Sequence, residues 1–137
     1  MPSLSPLLLL ILLVIPITPT TVFYFHGSVT CNLNRPFTYQ IQVVEEDFLT
    51  PGDEISRSSF VTAPSSPARY NITAIDTHDG PWNNYFDIVF HVYHDCGYSD
   101  RKHMVTRVPV KGFQIRGTTY YYEFNFDITQ RGNPDDW

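Results

Sequence analysis

The side chains of residues 87–96 alternate with a period of two, and this alternation constrains the fold more than any other feature of the sequence. Successive side chains of a β-strand point to opposite faces. A period of two with β-branched and aromatic residues therefore predicts a strand with at least one buried face. The face predicted to be buried carries Ile88, Phe90, Val92, His94 and Cys96, and the opposite face carries Asp87, Val89, His91, Tyr93 and Asp95.

The two cysteines of the chain each end a run of this kind. Cys96 ends the run just described, and Cys31 ends residues 25–31, on the same face as Val29. The two sheets of a sandwich lie about 10 Å apart, and cysteines at strand ends can also meet across one edge. In an oxidising compartment two lone cysteines most often pair, so we predict a Cys31–Cys96 disulfide. Two reduced thiols or an intermolecular bridge are the alternatives.

An uncharged apolar run at residues 7–15, followed by Pro16, indicates the compartment. Such a run is too short to cross about 30 Å of hydrocarbon as a helix, and it matches the apolar core of a secretory signal peptide. We therefore predict a signal peptide over residues 1–20 and a secreted, extracellular protein. Residues 21–137 are enough for one domain with its own core, and no later segment predicts a transmembrane anchor.

Further runs predict a ladder of short strands. Alternation covers residues 37–44 and 70–74, is weaker over 54–60, and resumes over 103–110 and 120–128. In the last run the face predicted to be buried carries Tyr120, Tyr122, Phe124, Phe126 and Ile128, and the outer face carries Tyr121, Glu123, Asn125 and Asp127. Short strands separated by turn signals, without a helical period, predict an all-β antiparallel sandwich of about seven to eight strands.

The charge of the chain restricts its partners. A formal net charge of −5 argues against nucleic acid and against a strongly anionic membrane surface as general partners. The only basic run, residues 101–103, is short, follows Asp100 and is interpreted as a solvated hairpin tip.

Five segments, in their order and spacing, carry a resemblance to a known family. They are residues 27–31 (Gly-Ser-Val-Thr-Cys), 45–48 (Glu-Glu-Asp-Phe), 93–96 (Tyr-His-Asp-Cys), 107–110 (Arg-Val-Pro-Val) and 122–128 (Tyr-Glu-Phe-Asn-Phe-Asp-Ile). Together they resemble the nematode transthyretin-like family over residues 24–128, and the His-Asp-Cys strand ending is the most specific of them. The resemblance implies a transthyretin-like (prealbumin-like) sandwich, secretion, and a carrier, signalling or bridging role without catalysis.

The sequence differs from the usual pattern of that family in two places, so it resembles a divergent member. Residues 67–72 (Pro-Ala-Arg-Tyr-Asn-Ile) stand where the family usually has an Asp-Gly-x-Phe hairpin. Many members also have a further cysteine soon after the Tyr-His-Asp-Cys motif, and this chain has none there.

Enzymatic activity is the less favoured alternative. The transthyretin fold also hosts 5-hydroxyisourate hydrolases, which use His and Arg near a C-terminal Tyr-Arg-Gly-Ser. This chain shares only the Arg-Gly of residues 130–133, which are not terminal, and a shared fold is only an analogy. The sequence has no Gly-x-Ser-x-Gly nucleophile elbow. We therefore predict no catalytic residue and no cofactor.

Metal binding is also not predicted. His91 and His94 are three residues apart on a strand, so they point to opposite faces and cannot share one ion. Carboxylates flank one turn and could hold a weak Ca²⁺ site, but a solvated acidic hairpin is the favoured interpretation because no EF-hand pattern is present. These carboxylates are Glu45, Glu46, Asp47, Asp53 and Glu54.

Two surface features remain as candidate sites. Asn71-Ile72-Thr73 is an N-glycosylation sequon, and its Asn71 lies opposite Tyr70 and Ile72 in the alternation, hence outward. The polar loop over residues 76–85 carries Trp82 and Tyr85, residue types enriched at binding hot spots, so we predict recognition there. The alternative for Trp82 is that it caps one end of the sandwich.

Two classes of function follow. The first is a secreted, non-catalytic binding module whose partner is an extracellular protein, a lipid or a small apolar ligand. The second is a structural or surface component of the extracellular space without a discrete ligand. An apolar cavity or an exposed aromatic patch would favour the first class, and a filled interior under an even polar surface would favour the second.

Overall fold

The computed structural model of this chain describes residues 20–46, 52–77, 85–97, 103–114 and 117–134. These residues form ten strands and no helix. The strands are β1 (Thr21–Thr30), β2 (Phe37–Glu45), β3 (Asp53–Arg57), β4 (Val61–Ala63), β5 (Ala68–Asp76), β6 (Tyr85–His94), β7 (Met104–Gln114), β8 (Thr119–Glu123), β9 (Phe126–Asp127) and β10 (Asn133–Pro134). Residues 1–19, which hold nearly all of the predicted signal peptide, lie outside this description.

The strands form two sheets. The first has the order β5-β1-β8, with β9 also pairing with β1. The second has the order β10-β7-β6-β2-β3, with β4 also pairing with β2. Buried residues of both sheets belong to one hydrophobic cluster, so the sheets pack face to face. The prediction of an all-β, sandwich-like fold is confirmed at this level.

The alternation seen in the sequence determines which side chains enter the core. The five residues predicted to be buried in and just after β6 are all at most 1% exposed. On β1, Phe25 packs edge to face against Phe90 of β6, with ring centroids 5.3 Å apart. Aromatic pairs favour this geometry, and full burial of one such side chain contributes about 1.5–3 kcal/mol. The interior between the sheets is therefore filled largely by aromatic rings.

The disulfide joins the two sheets. Cys31 follows β1 of the first sheet and Cys96 follows β6 of the second, and they form a disulfide with Cα atoms 6.0 Å apart. The predicted bridge is confirmed, and the alternatives of reduced thiols or an intermolecular bridge are wrong for this structure.

One sheet is not purely antiparallel, which corrects the predicted antiparallel sandwich. β8 runs parallel to β1, with Tyr24 opposite Tyr121, and β9 continues the parallel pairing. The remaining paired strands are antiparallel. Alternation along a strand is the same in both directions, so the sequence pattern of residues 120–128 predicted the buried face but not the direction.

Several element boundaries differ from the predictions. β4 is a short strand on β2 that the sequence did not reveal, because three residues show too little alternation. β7 extends four residues beyond the predicted end at Val110. The outer face of β2, predicted to be polar, is partly covered, since Gln40 is 8% exposed and donates to the Ser58 carbonyl at 3.0 Å.

The break between β8 and β9 depends on a glycine in β1. The Asn125 Oδ1 atom accepts hydrogen bonds from the backbone N–H and the hydroxyl of Ser28. At this point a side-chain oxygen therefore takes the place of the backbone carbonyl that would accept the hydrogen bond in a regular sheet. The Phe124 carbonyl crosses Gly27 so closely that a Cβ atom on Gly27 would lie 2.0 Å from its oxygen. Only glycine allows this approach.

Gly27→Ala is expected to destabilise the protein by about 1–3 kcal/mol, the usual cost of forcing extra atoms into a packed region. Urea unfolding followed by circular dichroism measures the change. Gly112→Ala is the matched control, since its nearest contact would be the flexible Asp87 carboxylate at 3.2 Å. Equal stability of Gly27→Ala and wild type would contradict the argument.

Candidate functional site

Two stacked tyrosines stand on the outer side of the first sheet. Tyr24 of β1 and Tyr121 of β8 are directly paired in the sheet, and their ring centroids are 5.0 Å apart with an interplanar angle of 16°. Tyr121 is 77% exposed and Tyr24 is 37% exposed. Stacking fixes the orientation of the two rings, and Tyr121 still presents most of its surface to water.

Apolar neighbours extend this pair into a surface. Ile75 of β5 is 53% exposed and lies opposite Val22 of β1. We call the outer surface formed by these residues and their immediate neighbours the tyrosine face; it consists of Val22, Tyr24, Thr73, Ile75, Thr119 and Tyr121. Contiguous exposed apolar side chains bordered by polar ones are typical of interaction sites, whereas isolated ones are not.

The edge of β8 adjoins the tyrosine face, and among the described residues its outward backbone groups have no partner strand. The Val22 N–H donates to the Thr118 carbonyl at 3.1 Å, and the Phe124 N–H donates to the His26 carbonyl at 2.8 Å. Bonds of a parallel ladder recur every second residue, so the peptide groups of Thr119, Tyr121 and Glu123 face away from β1. No described strand pairs with that side of β8. Such an edge can accept another extended chain.

An aromatic groove follows this edge toward β7. It has a volume of about 390 Å³ and is lined by Lys111, Gly112, Phe113, Gln114, Tyr120, Tyr121 and Tyr122. The Lys111 Nζ atom lies 5.5 Å from the centroid of the Tyr122 ring, a cation–π distance. The Tyr120 hydroxyl donates to the Gln114 carbonyl at 2.5 Å, which ties the two sheets together beside the groove. The tyrosine face and the groove therefore share Tyr121.

A second groove lies on the outside of the other sheet and is dominated by charge. It has a volume of about 600 Å³ and is lined by Glu46, Asp87, Ile88, Val89, Arg107, Pro109, Val110, Lys111 and Gly112. Within it the Arg107 guanidinium donates two hydrogen bonds to Glu46, one of them at 2.8 Å, and this lowers the pKa of the Glu46 carboxyl. Two of the charges of this groove, Glu46 and Arg107, are therefore already paired with each other.

Of the two predicted recognition residues, only Tyr85 is described, and it does not lie on the tyrosine face. Tyr85 is 47% exposed but begins β6 in the second sheet, where its hydroxyl accepts a hydrogen bond from Gln114 Nε2 at 3.3 Å. Trp82 lies outside the described residues, so recognition through it stays a prediction. The sequence signal for the tyrosine face was Tyr121, which stands among Glu123, Asn125 and Asp127 at outward positions.

Asn71 is exposed on β5, as the alternation predicted, and it lies on the same outer side as the tyrosine face. Its partner across the sheet is His26, which is also exposed. Modification of Asn71 stays a prediction.

The two histidines predicted to point apart do so. His91 lies on the outer side of β6, with its Nε2 atom 3.9 Å from a Glu46 oxygen, whereas His94 is fully buried. The described carboxylates near the predicted acidic turn also separate: Glu46 binds Arg107, and Glu54 binds Arg57 at 2.7 Å. Within the described ranges no three His, Cys, Asp or Glu side chains form a group that could hold a metal ion, and Asp47 lies outside those ranges.

His94 has structural partners on both ring nitrogens. Nδ1 accepts a hydrogen bond from the Cys96 N–H at 3.0 Å, so it carries no proton in this arrangement. Nε2 lies 2.8 Å from the Thr106 hydroxyl oxygen and 3.1 Å from the Arg131 carbonyl oxygen. Burial lowers the pKa of His94 to about 4. This histidine joins β6, β7 and the segment after β9, and it presents no nitrogen to solvent.

In comparisons with known proteins, no family model, no curated protein and no solved structure matches the chain. The part of the chain that the structure describes has no helix with the length and apolar character needed to cross a membrane.

Proposed function

We propose that this chain is a secreted, non-catalytic binding module that recognises an extracellular protein through the tyrosine face and the adjoining edge of β8. The observation that carries the proposal is the stacked pair of Tyr24 and Tyr121, with Tyr121 77% exposed beside a strand edge that lacks a described partner. Exposed aromatic side chains that are contiguous with other apolar ones are typical of interaction sites.

Tyrosine suits this role for physical reasons. Tyrosine offers a large amphipathic contact area and loses little conformational entropy on binding, because its side chain has few rotatable bonds. It is also enriched at the hot spots that dominate binding energy. The outward peptide groups of β8 add directional hydrogen bonds to a partner's main chain. The combination favours a protein partner over a lipid or a small apolar ligand.

The packing of the interior weighs against a carrier of small apolar ligands. Phe23 alone contacts the rings of Phe25, Phe86, Phe113 and Tyr120 at centroid distances of 5.3–5.6 Å. A ligand in the core between the sheets would have to displace these rings, whereas the groove between β7 and β8 and the groove on the second sheet both open to solvent. In a purely structural extracellular component the tyrosine pair would only stabilise the pairing of β1 with β8, which does not require Tyr121 to be 77% exposed beside Ile75 and the edge of β8.

Membership of the transthyretin-like class is part of the proposal. Its support is the sequence resemblance over residues 24–128, together with two packed sheets and a Tyr-His-Asp-Cys strand ending whose cysteine forms the disulfide. The proposed absence of catalysis is supported by the environment of His94, whose nitrogens are engaged in structural hydrogen bonds. Turnover of 5-hydroxyisourate by the wild-type protein would overturn it.

Tyr121→Ala is expected to weaken capture of the partner from extracellular extract about 30-fold, the effect of losing a hot spot worth about 2 kcal/mol. Its melting temperature should change little because the side chain is mostly in water. Tyr85→Ala is the matched control on the other sheet. Loss of capture by Tyr85→Ala but not by Tyr121→Ala would transfer recognition to the loop that carries Trp82.

The strand edge is tested by proline. Thr119→Pro removes an N–H that faces away from β1, so the sheet itself keeps its hydrogen bonds. Thr119→Ala keeps that N–H and serves as the control. We expect weaker capture only for the proline variant, and equal capture by both would remove the edge from the proposed site.

A further inference from the structure

The sequon on β5 and the tyrosine face are brought together by the pairing of three strands. Asn71 lies opposite His26, and Thr73 lies opposite Tyr24, which in turn lies opposite Tyr121. Side chains of directly paired residues point to the same side of a sheet, so Asn71 and the two tyrosines share one outer surface. Asn71 and Tyr121 are 50 positions apart in the sequence, and only the sheet makes them neighbours.

The hydrogen-bond pattern between β5 and β1 shows that the side chain of Asn71 lies close to those of His26 and Tyr24. The Ser56 hydroxyl donates to the Thr73 carbonyl at 2.7 Å, so the peptide groups of Thr73 face away from β1, and those of Asn71 do the same two residues earlier. Asn71 and His26 therefore form a non-hydrogen-bonded pair, the type whose side chains are closest, with Cα atoms about 4.5 Å apart. Tyr24 is the diagonal neighbour of Asn71, about 7–8 Å away.

The surface around Asn71 is chemically suited to a sugar. His26 and Glu123, which are paired across β1 and β8 and both exposed, offer polar groups beside the attachment point. One row further along the strands, the Tyr24 ring offers an apolar surface. Sugars carry hydroxyl and amide groups at their rim and C–H groups on their faces, so a row of polar side chains next to an aromatic ring complements both.

We infer that an N-linked glycan at Asn71 lies across the tyrosine face and controls access to it. The inference rests on the proposed secretion, since this modification belongs to secreted chains. The first two sugars extend beyond the distance from Asn71 to Tyr24, and the glycan branches beyond them cover Tyr121, about 12 Å from Asn71 by strand spacing. The unglycosylated form then exposes the recognition surface, and the glycosylated form shields it.

The test uses full-length protein secreted from a eukaryotic host and does not depend on the identity of a partner. Thr73→Ser keeps the sequon, whereas Thr73→Ala and Asn71→Gln remove it. Intact mass reports occupancy of Asn71. Nitration by tetranitromethane, followed by peptide mapping, reports the reaction rate of each tyrosine. Tyr85, which is 47% exposed on the other sheet, is the internal reference.

We expect a glycan on wild type and Thr73→Ser, with nitration of Tyr24 and Tyr121 at least several-fold slower than in Asn71→Gln and an unchanged rate at Tyr85. Equal rates in glycosylated and unglycosylated protein, or secreted protein without a glycan on Asn71, would overturn the inference and leave the proposed recognition surface intact. Failure of the chain to be secreted would overturn both. Capture of a partner should be stronger for Asn71→Gln than for wild type.

Discussion

Replacing both Cys31 and Cys96 with alanine is expected to lower the free energy of unfolding by about 2–5 kcal/mol, a large share of the stability of a small domain. The bridge joins residues 65 positions apart and connects the first sheet to the second. Closing a loop of this length in the unfolded chain accounts for about 4 kcal/mol in the chain-entropy description. Both cysteines are also buried, so the variant loses packing in the core.

Urea unfolding at neutral pH measures this effect. The double variant is preferred to a single one because it leaves no free thiol that could form an intermolecular bridge. Wild-type protein unfolded in the presence of a reductant is the matched control, and it should fall to a similar stability. A loss of less than about 1 kcal/mol in both cases would contradict the assigned role of the bridge.

Acidification from pH 6.5 to pH 4 is expected to remove about 3 kcal/mol of stability through His94 alone. Burial lowers the pKa of His94 from 6.5 to about 4 in the folded protein, so between these values the unfolded chain binds a proton that the folded chain does not. The contribution is complete above pH 6.5, declines as the pH falls, and is lost at about pH 4. A tenfold change in proton affinity corresponds to about 1.4 kcal/mol, which gives the stated magnitude.

The structural cause of this dependence is the neutral ring in the core. A proton on Nδ1 would face the N–H of Cys96, and the new charge would lie among side chains without solvent contact. Protonation removes the hydrogen bond that Nδ1 accepts from the Cys96 N–H, so the segment just after β6 is expected to loosen first in acid.

Unfolding in urea at a series of pH values, for wild type and His94→Gln, isolates this contribution. The pKa values of Glu46 and Glu54 are lowered because Arg107 and Arg57 donate hydrogen bonds to them. Protonation of these two carboxylates in acid therefore also lowers the stability of the folded protein. They are present in both proteins, so the difference between the two profiles belongs to His94. Parallel profiles between pH 6.5 and pH 4.5 would contradict the burial argument.

The buried faces of the strands could be predicted because they depend on local alternation alone. Ile88, Phe90 and Val92 enter the core as expected, and the pairing of Cys31 with Cys96 followed from two cysteines at strand ends. The outward position of Asn71 followed from the same alternation. A side chain's face is set by its own position along a strand, which the sequence records directly.

The candidate site could not be predicted in the same way. The sequence favoured the loop with Trp82 and Tyr85, whereas the exposed aromatic surface is formed by Tyr24 and Tyr121 from strands almost 100 residues apart. The sequence showed that Tyr121 is an aromatic residue among outward polar ones, but it did not show which residue lies beside it in the sheet. The parallel direction of β8 decided that partner.

The sequence by itself determined an all-β chain, the faces of its main strands and its disulfide, because each follows from alternation or from the count and position of two cysteines. The tertiary structure alone decided which strands became neighbours. Strand pairing depends on hydrogen bonds between distant segments and on packing between sheets, and a local pattern does not encode either. That pairing placed Tyr24 against Tyr121, brought Asn71 to the same surface, and left the outer edge of β8 without a partner among the described strands.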